Sequence, residues 1–230
     1  MEPTRPKKLP EHAERAVRAV AGAGLGHKIS LGGALGLQHY LDYRATHDVD
    51  AWWTASAGLR ERAEVVRVVE EALAEQGEVR TRRWGEVVSV ELKIGGKKTF
   101  SFQIAERSAQ LEPTTVVPWA DVALDSLADL IASKMVALVE RGAPRDFRDI
   151  YTLCQAGLTS AAACWHLWRE RQRRSGSDAD PHRARLAVET QLTRIALHRP
   201  LDRIADPEER AESQRVRTWV EEELLDALVD

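Results

Sequence analysis

Two adjacent glycines, Gly32 and Gly33, precede an Asp-x-Asp pair, Asp48 and Asp50, by about fifteen residues. Carboxylates at i and i+2 of an extended segment point to the same face, because side-chain direction alternates along a strand. Glycines have no Cβ, so the backbone at the pair can approach a phosphate group closely. Mg²⁺ that coordinates the phosphates of a nucleotide uses such oxygen ligands. The pattern predicts a strand–turn–helix unit followed by a carboxylate-bearing strand, and it indicates metal-dependent transfer of a nucleotidyl or phosphoryl group.

Length and composition bound the class of protein. The chain has 230 residues, of which 43% are hydrophobic and 30% charged, and this suits one large domain or two small ones with a buried core. A formal net charge of −3 excludes a globally basic nucleic-acid binder but allows a local basic patch. The sequence shows neither a long apolar run nor the apolar core of a signal peptide, so we expect a cytoplasmic protein without membrane contact. Cys154 and Cys164 are expected to be buried thiols rather than a disulfide or a zinc site.

Hydrophobic periodicity changes character along the chain. Before residue 120 it predicts helices over 11–23, 34–41 and 58–76, and strands over 27–31, 78–84, 86–94 and 98–104, besides the strand with the Asp-x-Asp pair. After Asp125 it predicts only helices, over 125–141, 144–156, 159–172, 183–197 and 208–228. We therefore predict an α+β fold, with a small mixed sheet in a module of residues 1–120 and a helical module in residues 121–230.

Two of the predicted helices carry charged residues close to their apolar faces. Lys134 lies at the edge of an apolar stripe, where its stem can be buried while its ammonium reaches a triphosphate or, equally, solvent. Asp146 falls within the inward arc of the next helix, where a carboxylate needs a partner, and Lys134 is the candidate. A favourable interaction with the helix dipole in the first turn is the alternative explanation of Asp146. We expect Asp146, rather than Asp149, to face inward.

The strands between residues 48 and 107 leave three points open. Ser101 and Gln103 occupy positions where a third acidic ligand is expected, and Glu91 on the partner strand is the nearest acidic substitute. Trp52 shares the face of the Asp-x-Asp pair, where it can stack on a base or pack in the core. Residues 80–107 contain seven basic residues and only three glutamates. The basic residues can contact a nucleic-acid backbone or protect an exposed sheet edge; they are Arg80, Arg82, Arg83, Lys93, Lys97, Lys98 and Arg107.

Together these motifs resemble the AbiEii/AbiGii-type and MenT-like toxins, a branch of the DNA polymerase β-like nucleotidyltransferase superfamily. The family's Gly-Gly motif and its Arg-x-Ser/Thr-x-Asp-x-Asp strand are matched by residues 31–34 and 44–50. Its later Ala-x-Lys and Arg-Asp-x-x-Asp-hydrophobic motifs are matched by residues 132–134 and 145–150. The resemblance covers roughly residues 27–156.

The resemblance implies a polymerase β-like module whose site is completed by the helical module. The implied reaction is attack by an acceptor hydroxyl on the α-phosphorus of an NTP, with Mg²⁺ as cofactor and pyrophosphate as leaving group. The implied acceptor is RNA, such as the 3′ end of tRNA, or a protein hydroxyl, and the implied partner is a separately encoded antitoxin. The implied residues are Gly32 and Gly33 at the phosphates, Asp48 and Asp50 on Mg²⁺, Lys134 on the triphosphate, Asp146 and less strongly Asp149 completing the site, and Arg44 bracing the nucleotide-binding loop.

Three departures from the family pattern support a rival interpretation. Ala34 replaces the usual Ser/Thr after the glycines, Leu37 stands where a polar residue is frequent, and Gln103 is neutral. They favour a catalytically weakened or inactive nucleotide-binding or partner-binding module on the same fold, whereas the retained aspartates and Lys134 favour an active enzyme. A glycosyltransferase with an Asp-x-Asp motif is disfavoured, because such enzymes usually bring a longer nucleotide-sugar domain.

Overall fold

The computed structural model describes residues 1–228, and the chain forms two compact units, Met1–Leu130 and Ile131–Asp230. The first unit is α+β. Its helices are α1 (Glu11–Gly22), α2 (Gly33–Gln38) and α3 (Leu59–Ala74). Its strands are β1 (Ile29–Leu31), β2 (Asp48–Trp53), β3 (Glu78–Trp84), β4 (Val87–Ile94), β5 (Lys97–Ala105), β6 (Thr115–Val116) and β7 (Ala123–Leu124).

The seven strands form one mixed sheet in the order β3-β4-β5-β2-β1-β7-β6. The β2–β5 and β1–β7 pairs are parallel, and the other neighbours are antiparallel. Strand β2 alternates between fully buried and partly exposed positions, as expected for a strand with one face against a core. The buried face belongs to a core shared with α1 and α3, whose members include Val17, Val49, Val69, Phe100 and Phe102. The carboxylates of β2 therefore lie on the opposite, polar face.

The second unit is helical. Helix α4 (Leu127–Glu140) begins in the first unit and ends in the second. It is followed by α5 (Pro144–Gln155), α6 (Ala161–Ser175), α7 (Pro181–His198) and α8 (Pro207–Trp219), and then by a π turn (Val220–Leu224) and a 3₁₀ turn (Asp226–Leu228). Three side chains fix helix starts by accepting first-turn N–H groups, namely Ser160, Asp180 and Asp206. The core of this unit contains two fully buried tryptophans, Trp165 and Trp168, packed edge to face.

The α+β class predicted from periodicity is confirmed, and so are the long helices and strands. Three local predictions were wrong. Residues 27 and 28 belong to a 3₁₀ turn (Gly26–Lys28) instead of the start of a strand, β6 and β7 were not predicted, and the last helix gives way to the π turn at Val220. Strands of two residues have no periodicity to detect, and β7 exists through its pairing with β1, where Ser30 lies opposite Ala123.

The thiols of Cys154 and Cys164 are 4.0 Å apart; Cys164 is buried, as predicted, whereas Cys154 is partly exposed. Within residues 1–228, no helix combines the length and the apolarity that crossing a bilayer requires.

Candidate active site

The Asp-x-Asp pair lies on the polar face of β2, beside β5. Asp48 is in register with Ser101, and Asp50 is in register with Gln103. The Ser101 hydroxyl donates a hydrogen bond to Oδ1 of Asp48, and Nε2 of Gln103 lies 3.5 Å from the Ser101 hydroxyl oxygen. The two aspartates therefore share a face, as strand alternation predicts, and Ser101 orients the carboxylate of Asp48.

The two glycines connect β1 to α2 against the same face. The Gly32 amide donates to the carbonyl oxygen of Asp50 over 2.8 Å, and Gly33 has a φ of +57°. A Cβ on Gly32 would lie 2.5 Å from Nε1 of Trp52, and a Cβ on Gly33 would overlap Oδ2 of Asp50. Both positions need glycine because side chains of β2 fill the space where a Cβ would be, and Gly33 also needs it for its positive φ.

The indole of Trp52 packs on this turn. Its Nε1 is buried and has no hydrogen-bond partner among the residues described. The indole edge that carries this N–H faces Gly32. Packing against the glycine turn thus accounts for the placement of Trp52, and its stacking on a base stays a prediction.

The carboxylates of Asp48 and Asp50 are suited to a Mg²⁺ ion whose remaining coordination positions are filled by water and substrate. Mg²⁺ is usually held by one or two protein carboxylates, with waters and substrate phosphates in its other positions. Asp48 and Asp50 supply two such carboxylates on one face, and no group of three or more His, Cys, Asp or Glu within residues 1–228 forms an all-protein metal site. Glu91 lies two strands away from Asp48 and is ion-paired with Arg82 at 3.2 Å and Lys98 at 3.7 Å, so it is not positioned as the third ligand.

A buried ionic cluster that no local sequence pattern indicates borders β1. Asp125 follows β7, is fully buried, and accepts hydrogen bonds from the Ser30 hydroxyl and the Arg107 guanidinium. Asp129 is also fully buried and accepts the backbone N–H groups of Leu111 and Glu112 at 2.8 and 3.0 Å. Burial raises the pKa of the Asp125 carboxyl, although Arg107 opposes this shift. The cluster attaches the segment after β5 to the start of α4.

Replacing Arg107 by Met is expected to lower the free energy of unfolding by about 3–5 kcal/mol, since it leaves two buried carboxylates without their shared cation. Urea titration followed by circular dichroism measures this loss. The matched control is Arg67→Met on α3, where the arginine is half exposed and pairs with Glu64 and Glu71. We expect the control to lose less than about 1 kcal/mol, and a similarly small loss at Arg107 would contradict the structural importance of the cluster.

The raised pKa of Asp125 predicts a pH-dependent stability. The native state holds the proton of this carboxyl more tightly than the unfolded chain does, so its contribution is fully present below the ordinary aspartate range, near pH 4, and is lost as the pH rises through the folded pKa. Asp125→Asn has no carboxyl to titrate at this position. The stability of the wild type relative to this variant should therefore fall as the pH is raised from about 4, as urea titrations at several pH values measure. Parallel pH profiles would contradict this prediction.

The second unit contains another buried ionic cluster, formed by α4 and α5. Lys134 Nζ lies 2.8 Å from Oδ2 of Asp149 and 3.7 Å from Oδ1 of Asp146, and both carboxylates are fully buried. Arg141 binds Asp146 through two hydrogen bonds of 2.8 and 2.9 Å. Asp146 faces inward as expected, but the expectation that Asp149 does not was wrong. The two residues are three positions apart and share the inward face of α5 with Ile150, so both meet Lys134.

Arg44 lies in the loop between α2 and β2. Its carbonyl oxygen accepts a hydrogen bond from Nε2 of Gln38, its Nη1 donates to the carbonyl of Ala45 over 3.3 Å, and its guanidinium lies 5.7 Å from the centre of the Tyr43 ring. These contacts are local to the loop, and both a bracing role for Arg44 and a contact with nucleotide stay predictions. Leu37 of α2 is fully buried.

The family model described as "Nucleotidyl transferase AbiEii toxin, Type IV TA system" matches residues 15–226. The chain belongs to this family. The AbiEii match confirms the resemblance inferred from the motifs, and it extends beyond them on both sides. A solved structure, an antigenic nucleotidyltransferase-like protein from Paracoccidioides brasiliensis, aligns with 92% of this chain and 94% of its own at 14% identity and a TM-score of 0.41. No curated protein matches this AbiEii-family chain.

Proposed function

We propose that this AbiEii-family chain is a Mg²⁺-dependent enzyme that transfers NMP from an NTP to an acceptor hydroxyl, with the 3′ end of tRNA as the first candidate and a protein hydroxyl as the second. The observation that carries the proposal is the placement of Asp48 and Asp50 on one face of β2 with the main chain of Gly33 directly against Asp50. Membership of a toxin–antitoxin family supports the further proposal that a cognate antitoxin is encoded with the chain. The cytoplasm, where NTPs and tRNA occur together, is the proposed compartment.

Residues of the first unit would bind and orient the nucleotide. Asp48 and Asp50 would hold Mg²⁺, which when bound neutralises charge on the triphosphate and lowers the pKa of the acceptor hydroxyl. Ser101 keeps the carboxylate of Asp48 oriented, and Gly32 and Gly33 add no side chain of their own to the turn, whose main chain would approach the phosphates. The acceptor oxygen forms a bond to the α-phosphorus, the bond from this phosphorus to the bridging oxygen breaks, pyrophosphate leaves, and the hydroxyl proton passes to water.

Lys134, Asp146 and Asp149 of the second unit are included in the proposal because they match the family's Ala-x-Lys and Arg-Asp-x-x-Asp motifs. We assign Lys134 to the triphosphate, since an ammonium held beside carboxylates has a fixed position from which it can donate to phosphate oxygens. Asp146 and Asp149 then act as positioning residues for this ammonium. Arg141 supports Asp146 through its paired hydrogen bonds.

A second candidate is a nucleotide-binding module without catalysis, and strand β5 favours it. The positions in register with the two aspartates are the neutral Ser101 and Gln103, so the sheet adds no third carboxylate there. Ala34 also lacks the hydroxyl usual after the glycines.

Transfer of label separates the two candidates. The purified chain is incubated with α-labelled ATP, CTP, GTP or UTP, Mg²⁺ and total cellular RNA, in parallel with Asp48→Ala. Label that enters RNA or protein, and is lost in the variant, supports the transferase and identifies both the nucleotide and the acceptor class. Binding of Mg²⁺–NTP without incorporation from any of the four nucleotides would instead support the binding module.

A further inference from the structure

The polar face of the sheet continues from the aspartates to the edge strand β3. The strand register places one row of residues across it from Asp50 through Gln103 and Ser89 to Arg82. The neighbouring row runs from Asp48 through Ser101 and Glu91 to Arg80. Adjacent strands are about 4.8 Å apart, so the arginine backbones lie about 14 Å from the aspartate backbones on the same face.

Strand β3 presents an aromatic residue beside these arginines. Trp84 is two residues beyond Arg82 and, by strand alternation, shares its face. Half of Trp84 is exposed, and the side chain of Arg82 is 48% exposed. We name the surface formed by Arg80, Arg82, Trp84 and Lys98 the arginine–tryptophan strip.

The strip carries a positive charge. Lys98 and Arg82 both approach Glu91, at 3.7 and 3.2 Å, so one carboxylate faces two cations. Arg80 adds a further cation, and it is exposed. A positively charged surface of this kind attracts a nucleic-acid backbone.

Protection of the sheet edge explains only part of this composition. Basic side chains on an edge strand discourage pairing with other chains. An exposed tryptophan does the opposite, because it adds apolar area to an edge that the charges protect. An aromatic ring beside cations is, however, the combination that binds single-stranded nucleic acid, with bases stacked on the ring and phosphates on the cations.

We propose that the arginine–tryptophan strip binds single-stranded RNA of the acceptor, with a base stacked on Trp84 and phosphates on Arg80, Arg82 and Lys98. This inference rests on the proposed function, because it supplies the acceptor whose hydroxyl reaches the aspartates along the same face. The strip then positions the RNA, and Asp48 and Asp50 take no part in holding it.

Direct binding tests the strip without requiring catalysis. A short single-stranded RNA with a fluorophore is titrated with the full chain at several salt concentrations, in the absence of NTP and Mg²⁺, and its anisotropy is followed. We expect Trp84→Ala to weaken binding about 10-fold and Trp84→Phe to restore most of the affinity, since stacking needs only an aromatic face. Replacing Arg80 and Arg82 together by Ala should make the slope of log K against log salt shallower by about 1.4.

The matched control is Arg67→Ala, an exposed arginine of α3 on the other side of the sheet, which should bind RNA like the wild type. Equal affinity of the wild type and the strip variants would overturn the inference, as would a wild type that binds no RNA. Circular dichroism confirms that the variants are folded.

Transfer assays keep this inference separate from the proposed function. If RNA binds through the strip but no NTP is incorporated, the proposed transferase fails and the strip stands. If label enters RNA with an unchanged KM for RNA in the strip variants, the transferase stands and the strip fails.

Discussion

Replacing Asp50 by Asn is expected to reduce nucleotidyl transfer by at least about 10³-fold, since loss of one metal-binding carboxylate removes several kcal/mol of transition-state stabilisation. The fold should survive, because Asp50 is only partly buried on the polar face of β2 and Asn has the same shape. Asp48→Asn should reduce nucleotidyl transfer to a similar extent and should also remain folded. Initial rates of label transfer at saturating NTP measure both effects, and an unchanged urea midpoint shows that the variants remain folded.

Two further variants sharpen this test. Ser101→Ala keeps both carboxylates but removes the hydrogen bond that orients Asp48, and we expect a smaller loss of about 10- to 100-fold. Asp42→Asn removes an exposed carboxylate from the loop before β2 and should leave the rate unchanged. If Asp50→Asn kept a rate within about tenfold of the wild type, the assignment of the pair to the metal would be wrong.

Gly33→Ala is expected to abolish most of the activity because the added methyl group does not fit, and no chemical group is removed. Its φ of +57° costs an alanine about 1–2 kcal/mol, and the added Cβ would overlap Oδ2 of Asp50. Either the glycine turn or the carboxylate must then move. We expect transfer to fall by at least about 10²-fold, because a small displacement of a catalytic group is costly.

The hairpin glycine Gly95 provides the matched control. Its φ is +59°, and an added Cβ would meet no described atom within 4 Å. Gly95→Ala should therefore lose only the conformational part, about 1–2 kcal/mol by urea titration, while its transfer rate stays at the wild-type level. Equal activity of the two alanine variants would show that Gly33 serves backbone conformation alone.

The sequence predicted features that depend on local periodicity. Alternation along one strand was enough to place Asp48 and Asp50 on one face, and helical phase was enough to place Lys134 beside Asp146. The same helical phase also allows Asp149 to face inward, but only Asp146 was expected there. Asp149 is one turn further along α5 and makes the shorter contact with Lys134.

Features that depend on long-range pairing could not be predicted. Ser101 reaches Asp48 through parallel strands whose pairing spans 53 residues, and no local pattern contains that register. Arg107 lies on a loop, and Asp125 follows a two-residue strand. Their sequence positions therefore did not distinguish them from exposed charged residues. The glycine pair was interpreted as space for phosphates, and the structure adds that this space is already bordered by Asp50 and Trp52.

The position of a bound metal tests the central claim most directly. Crystals of the chain with Mn²⁺ and a non-hydrolysable NTP analogue would locate the ion by its anomalous scattering. We predict one Mn²⁺ bound by carboxylate oxygens of both Asp48 and Asp50, with the triphosphate over Gly32 and Gly33. A triphosphate bound elsewhere, or a metal that contacts neither aspartate, would contradict the assignment of this face as the active site.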